Sequence, residues 1–356
     1  MKIFTIIGAR PQFIKAAVVS SALEKAGVQE ILVHTGQHFD ADMSDIFFHE
    51  LGLKPPAYHL GIGGLSHGAM TGRMLESIET LLINEKPTCV LVYGDTNSTL
   101  AGALAAAKLH IPIAHVEAGM RSFNRQMPEE INRVLVDHLS DYLFVTSAKP
   151  IELLAQEGIT QGVHCVGDVM YDAVLTFTAL AQKSQILRRL KIKAKKYGLV
   201  TLHRAENTDS PERLKLWLNQ LERLAQDLEL VFTVHPRTSK AIQSIHPDWH
   251  PKGILLVEPL GYLDMLALQS QASLVITDSG GLQKEALYAN TPCLTLRKET
   301  EWVETLECGW NQLIGNNPEE LVSKAKILMN SCAEAQAPQL YGDGTASKKI
   351  VAILTK

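Results

Sequence analysis

"CVLVYGDTNSTLAGALAAAKLHIPIAHVE", residues 89–117, is the stretch that decides the fold. It opens on a β-branched apolar run, breaks at Gly94-Asp95, and continues through small residues at helical spacing. It closes on a second apolar run, IPIAHVE. Strand, helix and strand in so short a span make a βαβ unit, whose strands are parallel. Strands apolar on both faces need helices on both sides of the sheet. The pattern extends outward: KIFTIIG (2–8), EILVHTG (30–36) and YLFVTS (142–147) have the same character. It then starts again with YGLVTLH (197–203), LELVFTVHP (228–236), GILLVEP (253–259), LVITDSG (274–280) and TPCLTLR (291–297). The intervening segment, about 171–196, reads as helix and turns basic at LRRLKIKAKK, which suits a surface linker. The expectation is an α/β protein of two doubly wound, Rossmann-like domains, 1–170 and 171–340, facing each other across a cleft.

A chain of 356 residues with 46% hydrophobic and 20% charged residues has the size and balance of two globular domains. A net charge of -4 lacks the basic excess of a nucleic-acid binder. Five widely spaced cysteines without a C-x-x-C argue against a disulfide framework or a zinc site and for a reducing cytoplasm. MKIFTIIGARPQ reads as a first strand and turn rather than a signal peptide. No stretch reaches the roughly 18 apolar residues that a membrane span needs.

In doubly wound sheets, ligands bind beyond the carboxyl ends of the strands. The unusual residues gather there. Asp95, Glu117 and Glu129 each follow an apolar strand or open the amphipathic helix PEEINRVLVDHLSDYLF, so they are candidates for moving protons. Taken singly, Asp95 equally caps a helix, Glu129 complements a helix dipole, and Glu117 pairs with Arg121 or Arg133. Ser279, Gly280 and Gly281 lie between a strand and a helix, a place for phosphate or for a plain helix cap. Glu285 on that helix is in reach of a ribose hydroxyl pair. Arg10, followed by Pro11, suits an anion clamp or a surface ion pair. His203 beside Arg204 is poised for phosphate or packed as a structural histidine. His34 and His38 share a metal-like spacing but stand beside glycine after a strand, which favours substrate contact or packing. GARPQ is not the G-x-G-x-x-G fingerprint, so nicotinamide chemistry is disfavoured.

Together, GARPQFIK, HTGQH, GDTNSTLAGALAA, HVEAGMRS, MPEEINR, HRAEN and TDSGGLQKEA closely resemble the non-hydrolysing UDP-N-acetylglucosamine 2-epimerase family, over nearly the whole chain and in order. The resemblance implies a GT-B-like fold, a UDP-sugar substrate, no metal or other cofactor, a homodimer, and a last helix (about 341–356) that packs back on the first domain. It puts Asp95, Glu117, Glu129, Arg133 and His203 in catalytic positions. Arg10, Lys15, His203, Ser279, Gly280, Gly281 and Glu285 fall in UDP- or substrate-binding ones. Ala9, Gln12, Phe39 and Lys284 depart from the common pattern, and RKETEWVE is similar to the subgroup acting on UDP-2,3-diacetamido-2,3-dideoxyglucuronate. Such enzymes invert C2 where no carbonyl acidifies its proton. If UDP leaves C1 as that proton departs, a 2-acetamidoglucal forms, and re-addition from the other face completes the inversion. Carboxylates must move protons and cations must hold the diphosphate. A hydrolysing epimerase and a GT-B glycosyltransferase remain the alternatives.

Overall fold

The computed structural model describes residues 1–37, 48, 50–333 and 335–356, and it divides into two units. The first comprises Met1–Thr176 and Leu340–Lys356; the second comprises Phe177–Gln339. The division falls inside one helix, Val169–Ala181.

The first unit is built on seven parallel strands: β1 (Lys2–Ile7), β2 (Gln29–His34), β3 (Tyr58–His59), β4 (Cys89–Tyr93), β5 (Ile113–Val116), β6 (Tyr142–Val145) and β7 (Val163–Cys165). Their order in the sheet is β3-β2-β1-β4-β5-β6-β7. The second unit carries β8 (Tyr197–Thr201), β9 (Glu229–Thr233), β10 (Ile254–Val257), β11 (Leu274–Thr277), β12 (Cys293–Thr295) and β13 (Asn311–Leu313), in the order β10-β9-β8-β11-β12-β13. Both orders reverse direction beside the unit's first strand. That puts the switch-point crevices at the carboxyl ends of β1 and β4, and of β8 and β11.

The cores explain the two-sided apolar strands. Phe4, Ile6, Val90, Val92 and Ala105 are sealed in one cluster; Leu199, Val200, Phe232, Ile276 and Leu294 are likewise buried in the second unit. The alanine-rich helix Asn97–Lys108 lies so close to its sheet that a Cβ on Gly102 would stand 2.5 Å from Ile6 Cδ1. Small residues there are a packing requirement, not a propensity effect.

Three strands had no two-sided apolar signal: β3, β7 and β13. All are edge strands of two or three residues. An edge strand buries less and so needs less hydrophobic sequence.

The helix Ala346–Leu354 packs on the helix Arg10–Lys25 within the first unit. Ile350, Val351 and Leu354 supply its buried stripe, and Asp172 accepts hydrogen bonds from Ala346 N (3.1 Å), Ser347 N (2.7 Å) and Ser347 Oγ (2.7 Å). One carboxylate thus caps the helix and fastens it. Among the described residues no helix is long and apolar enough to cross a membrane.

Candidate active site

At the first switch point the chain leaves β1 through Gly8 and Ala9 and leaves β4 through Gly94. Gln12, 2% exposed, joins the two exits. Its Oε1 accepts from Gly8 N and Ala9 N at 2.8 and 3.0 Å, and its Nε2 donates to Tyr93 O at 2.7 Å. A Cβ on Gly8 would lie 2.0 Å from Thr35 Oγ1 and 2.3 Å from Ser98 Oγ, so that exit has no room for a side chain.

Around this frame the structure brings four of the sequence candidates together. Asp95 Oδ2 accepts from Arg133 Nη2 at 2.5 Å. Lys15 Nζ lies 2.7 Å from Glu117 Oε1, with side chains only 7% and 11% exposed. A Cβ on Gly94 would stand 3.8 Å from Lys15 Nζ and 3.9 Å from Glu117 Oε1, so the second pair lies beside the turn that carries Asp95. Glu117 has φ 71°, a left-handed conformation that is costly for a residue with a Cβ. Strain of this kind, about 1–3 kcal/mol, clusters at functional sites.

The ion pairs and the helix cap have definite partners. The cap of the helix Asn97–Lys108 is Thr96, not Asp95. Glu117 pairs with Lys15, while Arg121 binds Asp137 (2.6 Å) and Glu157 (2.7 Å), and Arg133 binds Asp95 and approaches Glu130 at 3.2 Å.

The helix Pro128–Leu139 is amphipathic but turned the unusual way. It buries Glu130, Asn132, Arg133 and Asp137 and leaves Ile131 and Leu135 exposed. Its inward polar face is the site's scaffold. Glu130 accepts from Ser122 N, Ser122 Oγ and Phe123 N, each at 2.9 Å, and so fixes the preceding loop. Asn132 Nδ2 donates to Asp95 O at 2.9 Å. Glu129 lies in the first turn of this helix, one turn before Arg133 on the same face.

At the second switch point, Asp278 follows β11 and is fully buried. It accepts from His203 N (3.0 Å), Arg204 N (2.9 Å) and Asn207 Nδ2 (3.1 Å), and its Oδ1 lies 3.2 Å from His203 Nδ1. The histidine is therefore oriented by a carboxylate while its ring stays 41% exposed. Ser279 caps the helix Gly280–Tyr288 through Leu282 N. The first-turn N–H groups of that helix lack acceptors within it and carry its positive dipole end. Among the described residues nothing lies within 4 Å of a Cβ on Gly281. At Gly280 such a Cβ would meet Glu301 Oε1 at 2.6 Å and Arg204 Nη2 at 3.8 Å. Glu285 is buried on the same helix, and Arg10, which opens the helix after β1, is partly exposed.

His34 is buried in a ring stack, its centroid 4.5 Å from that of His59 and 5.0 Å from that of Phe13. Its ring packs among aromatic neighbours, and His38 and Phe39 lie outside the described residues. Among the described residues no group of three or more His, Cys, Asp or Glu is placed to hold a metal.

The family model described as UDP-N-acetylglucosamine 2-epimerase matches residues 21–355. The chain belongs to the UDP-N-acetylglucosamine 2-epimerase family. A UDP-2,3-diacetamido-2,3-dideoxy-D-glucuronate 2-epimerase of Pseudomonas aeruginosa is 49% identical over the full length of both chains. A UDP-N-acetylglucosamine 2-epimerase homolog of Methanococcus maripaludis is 50% identical over 99% of each chain. The UDP-GlcNAc 2-epimerase of Methanocaldococcus jannaschii, solved with UDP-GlcNAc and UDP, superposes with a TM-score of 0.93 at 43% identity, covering 100% of this chain and 99% of the other. The epimerase family accordingly supplies the frame for this chain: two parallel-sheet α/β domains of the GT-B-like kind and an isomerase activity.

Reasoning from sequence missed four residues that support the candidate site: Gln12 as a bridge, and His115, Asp137 and Asp278 as buried polar supports. The signal that finds Asp137 is helical spacing. Glu130, Arg133 and Asp137 recur at intervals of three and four, which stacks them on one face of a helix whose opposite face is apolar.

Proposed function

We propose that this epimerase inverts C2 of a UDP-N-acetylhexosamine, UDP-GlcNAc or its 2,3-diacetamido-glucuronate analogue, by eliminating and re-adding UDP. Asp95 and Glu129 exchange the C2 proton as acid/base groups. Arg133, bonded to Asp95, holds that carboxylate in one orientation, and Glu117 with Lys15 positions the sugar. His203, backed by Asp278, and Arg10 stabilise UDP as it leaves C1. Ser279, Gly280 and Gly281 present the helix N-terminus to the diphosphate, and Glu285 takes the ribose hydroxyls.

The observation that carries this reading is the pairing of Asp95 with Arg133 beside Lys15 and Glu117 at the strand ends. Two carboxylates and two cations there supply both a proton carrier and charge stabilisation. Neither metal nor NAD has a step in this route. The same reading makes the protein cytoplasmic, with products that serve surface polysaccharide precursors. It also makes the protein a homodimer, which the outward apolar residues Ile131 and Leu135 support.

Turnover in D2O, followed by NMR, tests the mechanism. Deuterium should enter C2 of the product, and oxygen-18 placed in the bridging position should scramble into the non-bridging phosphate oxygens. Deuterium uptake without scrambling refutes elimination of UDP. Accumulation of free sugar and UDP identifies a hydrolysing enzyme, and transfer to an acceptor identifies a glycosyltransferase.

A further inference from the structure

His115 lies in β5 and is completely buried, two residues before Glu117. Its Nε2 is 2.7 Å from Gly94 O, and its Nδ1 is 2.8 Å from Asp137 Oδ1. A backbone carbonyl only accepts, so Nε2 carries a proton and donates it. Asp137 is ionised. Burial, the strongest influence on it, pushes its carboxyl up, yet the carboxyl lies below the usual carboxylate range, and the Arg121 guanidinium, 2.6 Å from its Oδ2, favours the charged form. Its Oδ2 is already taken by Gly119 N (3.1 Å) and Arg121 Nη1 (2.6 Å). An ionised carboxylate only accepts, so Nδ1 donates as well. Both ring nitrogens therefore face acceptors, which is the geometry of a doubly protonated ring.

The charges around it agree. Arg121 closes a fork on Glu157 through Nε (2.7 Å) and Nη2 (2.8 Å), and His138 stands 3.8 Å from Glu157 on the exposed side. Two carboxylates facing one buried guanidinium leave one negative charge over, which a second proton on the His115 ring would neutralise. Buried charges persist where they are paired and hydrogen-bonded in this way.

The bonds also have a direction. Gly94, at φ 60°, immediately precedes Asp95, and Gly119, at φ 77°, follows Glu117 by two residues. One end of the His115–Asp137 pair grips the Gly94 carbonyl and the other grips the Gly119 N–H. We propose that His115 and Asp137 are positioning residues: a buried cation and carboxylate that set the spacing between the turn carrying Asp95 and the loop carrying Glu117. The proposal rests on the roles assigned above to Asp95 and Glu117. Neither His115 nor Asp137 touches the reacting atoms.

The test has two arms. In the wild-type protein labelled with 15N-histidine, nitrogen–proton correlation should find two slowly exchanging N–H protons on the His115 ring, assigned by their loss in His115→Gln or His115→Asn. A single ring proton would overturn the buried cation. In the second arm the variants separate the two bonds: the Gln amide reaches the place of Nε2 and keeps the Gly94 bond, whereas the Asn amide takes the place of Nδ1 and loses it. His115→Asn should lower kcat about 10²-fold, the scale of a 1 Å misplacement. His115→Gln should stay within about tenfold of wild type, with KM and calorimetric UDP affinity within about twofold in both variants. Equal losses in the two variants, or a loss confined to KM, would overturn the positioning role. Were the wild type inactive, the epimerase reading would fall, while the ring-proton count would still uphold or overturn the buried cation.

Discussion

Asp95→Asn and Glu129→Gln remove one ionisable group each with almost no change of shape, and the structure predicts that they part company. If both residues move the C2 proton, each change should lower kcat about 10²–10⁴-fold, or roughly 2.7–5.5 kcal/mol of barrier. Stability should not follow the same pattern. Arg133 is 4% exposed in its side chain and meets Asp95 at 2.5 Å, with Glu130 remaining at 3.2 Å when Asp95 is neutralised. A buried cation that loses a charged partner costs about 1–3 kcal/mol. For a domain of this size that is roughly 2–12 °C in Tm. Glu129 lies in the first turn of its helix, and removing it forfeits only about 0.3–1 kcal/mol of dipole complementarity. Rates are read by NMR of the epimer ratio and stability by calorimetry, with UDP affinity as the check that the nucleotide site is intact. An Asp95→Asn protein retaining more than a tenth of wild-type kcat would refute the acid/base assignment. A larger Tm loss in Glu129→Gln than in Asp95→Asn would refute the account of the ion pairs.

UDP alone should raise Tm, by an increment that grows with its concentration over Kd, and NAD should not; turnover should survive exhaustive chelation and dialysis, and rescue by a divalent ion would count against the proposed route. Asp172→Ala leaves Ala346 N and Ser347 N without their acceptor, so it should cost about 1–3 kcal/mol and expose 346–354 to hydrogen exchange before the second unit is affected. Asp343 is held down to about 2 by the Thr345 hydroxyl, then by Lys349. A carboxylate lowered in the folded state stabilises it fully above the unfolded value of 3.8 and loses that contribution as pH falls through about 2. Amide exchange in 346–354 should accordingly accelerate between those values in the wild type and show no such step in Asp343→Asn.

The layered architecture was legible because ten apolar runs each give way to polar or turn residues. That pattern fails at β3, β7 and β13, which sit at sheet edges and are partly wet. The candidate site was read as a set of residues, and their partners were not legible. Glu117 and Lys15 are a hundred residues apart, and nothing local in HVEAGMRS points to a lysine in the helix after β1 rather than to nearby Arg121. His115 looks like one more strand residue, since its bonds to Gly94 and Asp137 depend on sheet order and on a helix that turns its polar face inward. Asp278 was legible as part of a turn, yet its hold on His203 arises only because β8 and β11 are neighbours.

The first unit is interrupted: the chain leaves it within the helix Val169–Ala181 and re-enters only at Leu340. On a ribosome, about 160 residues of the second unit must therefore be made before the first can close. At about 5–20 residues per second, that is a delay of roughly 8–30 s. Throughout it the groove along the helix Arg10–Lys25 that later receives Ile350, Val351 and Leu354 stands open, and Asp172 waits without the amides it will cap. The nascent first unit should therefore be a chaperone client late in translation, although its sheet was completed long before.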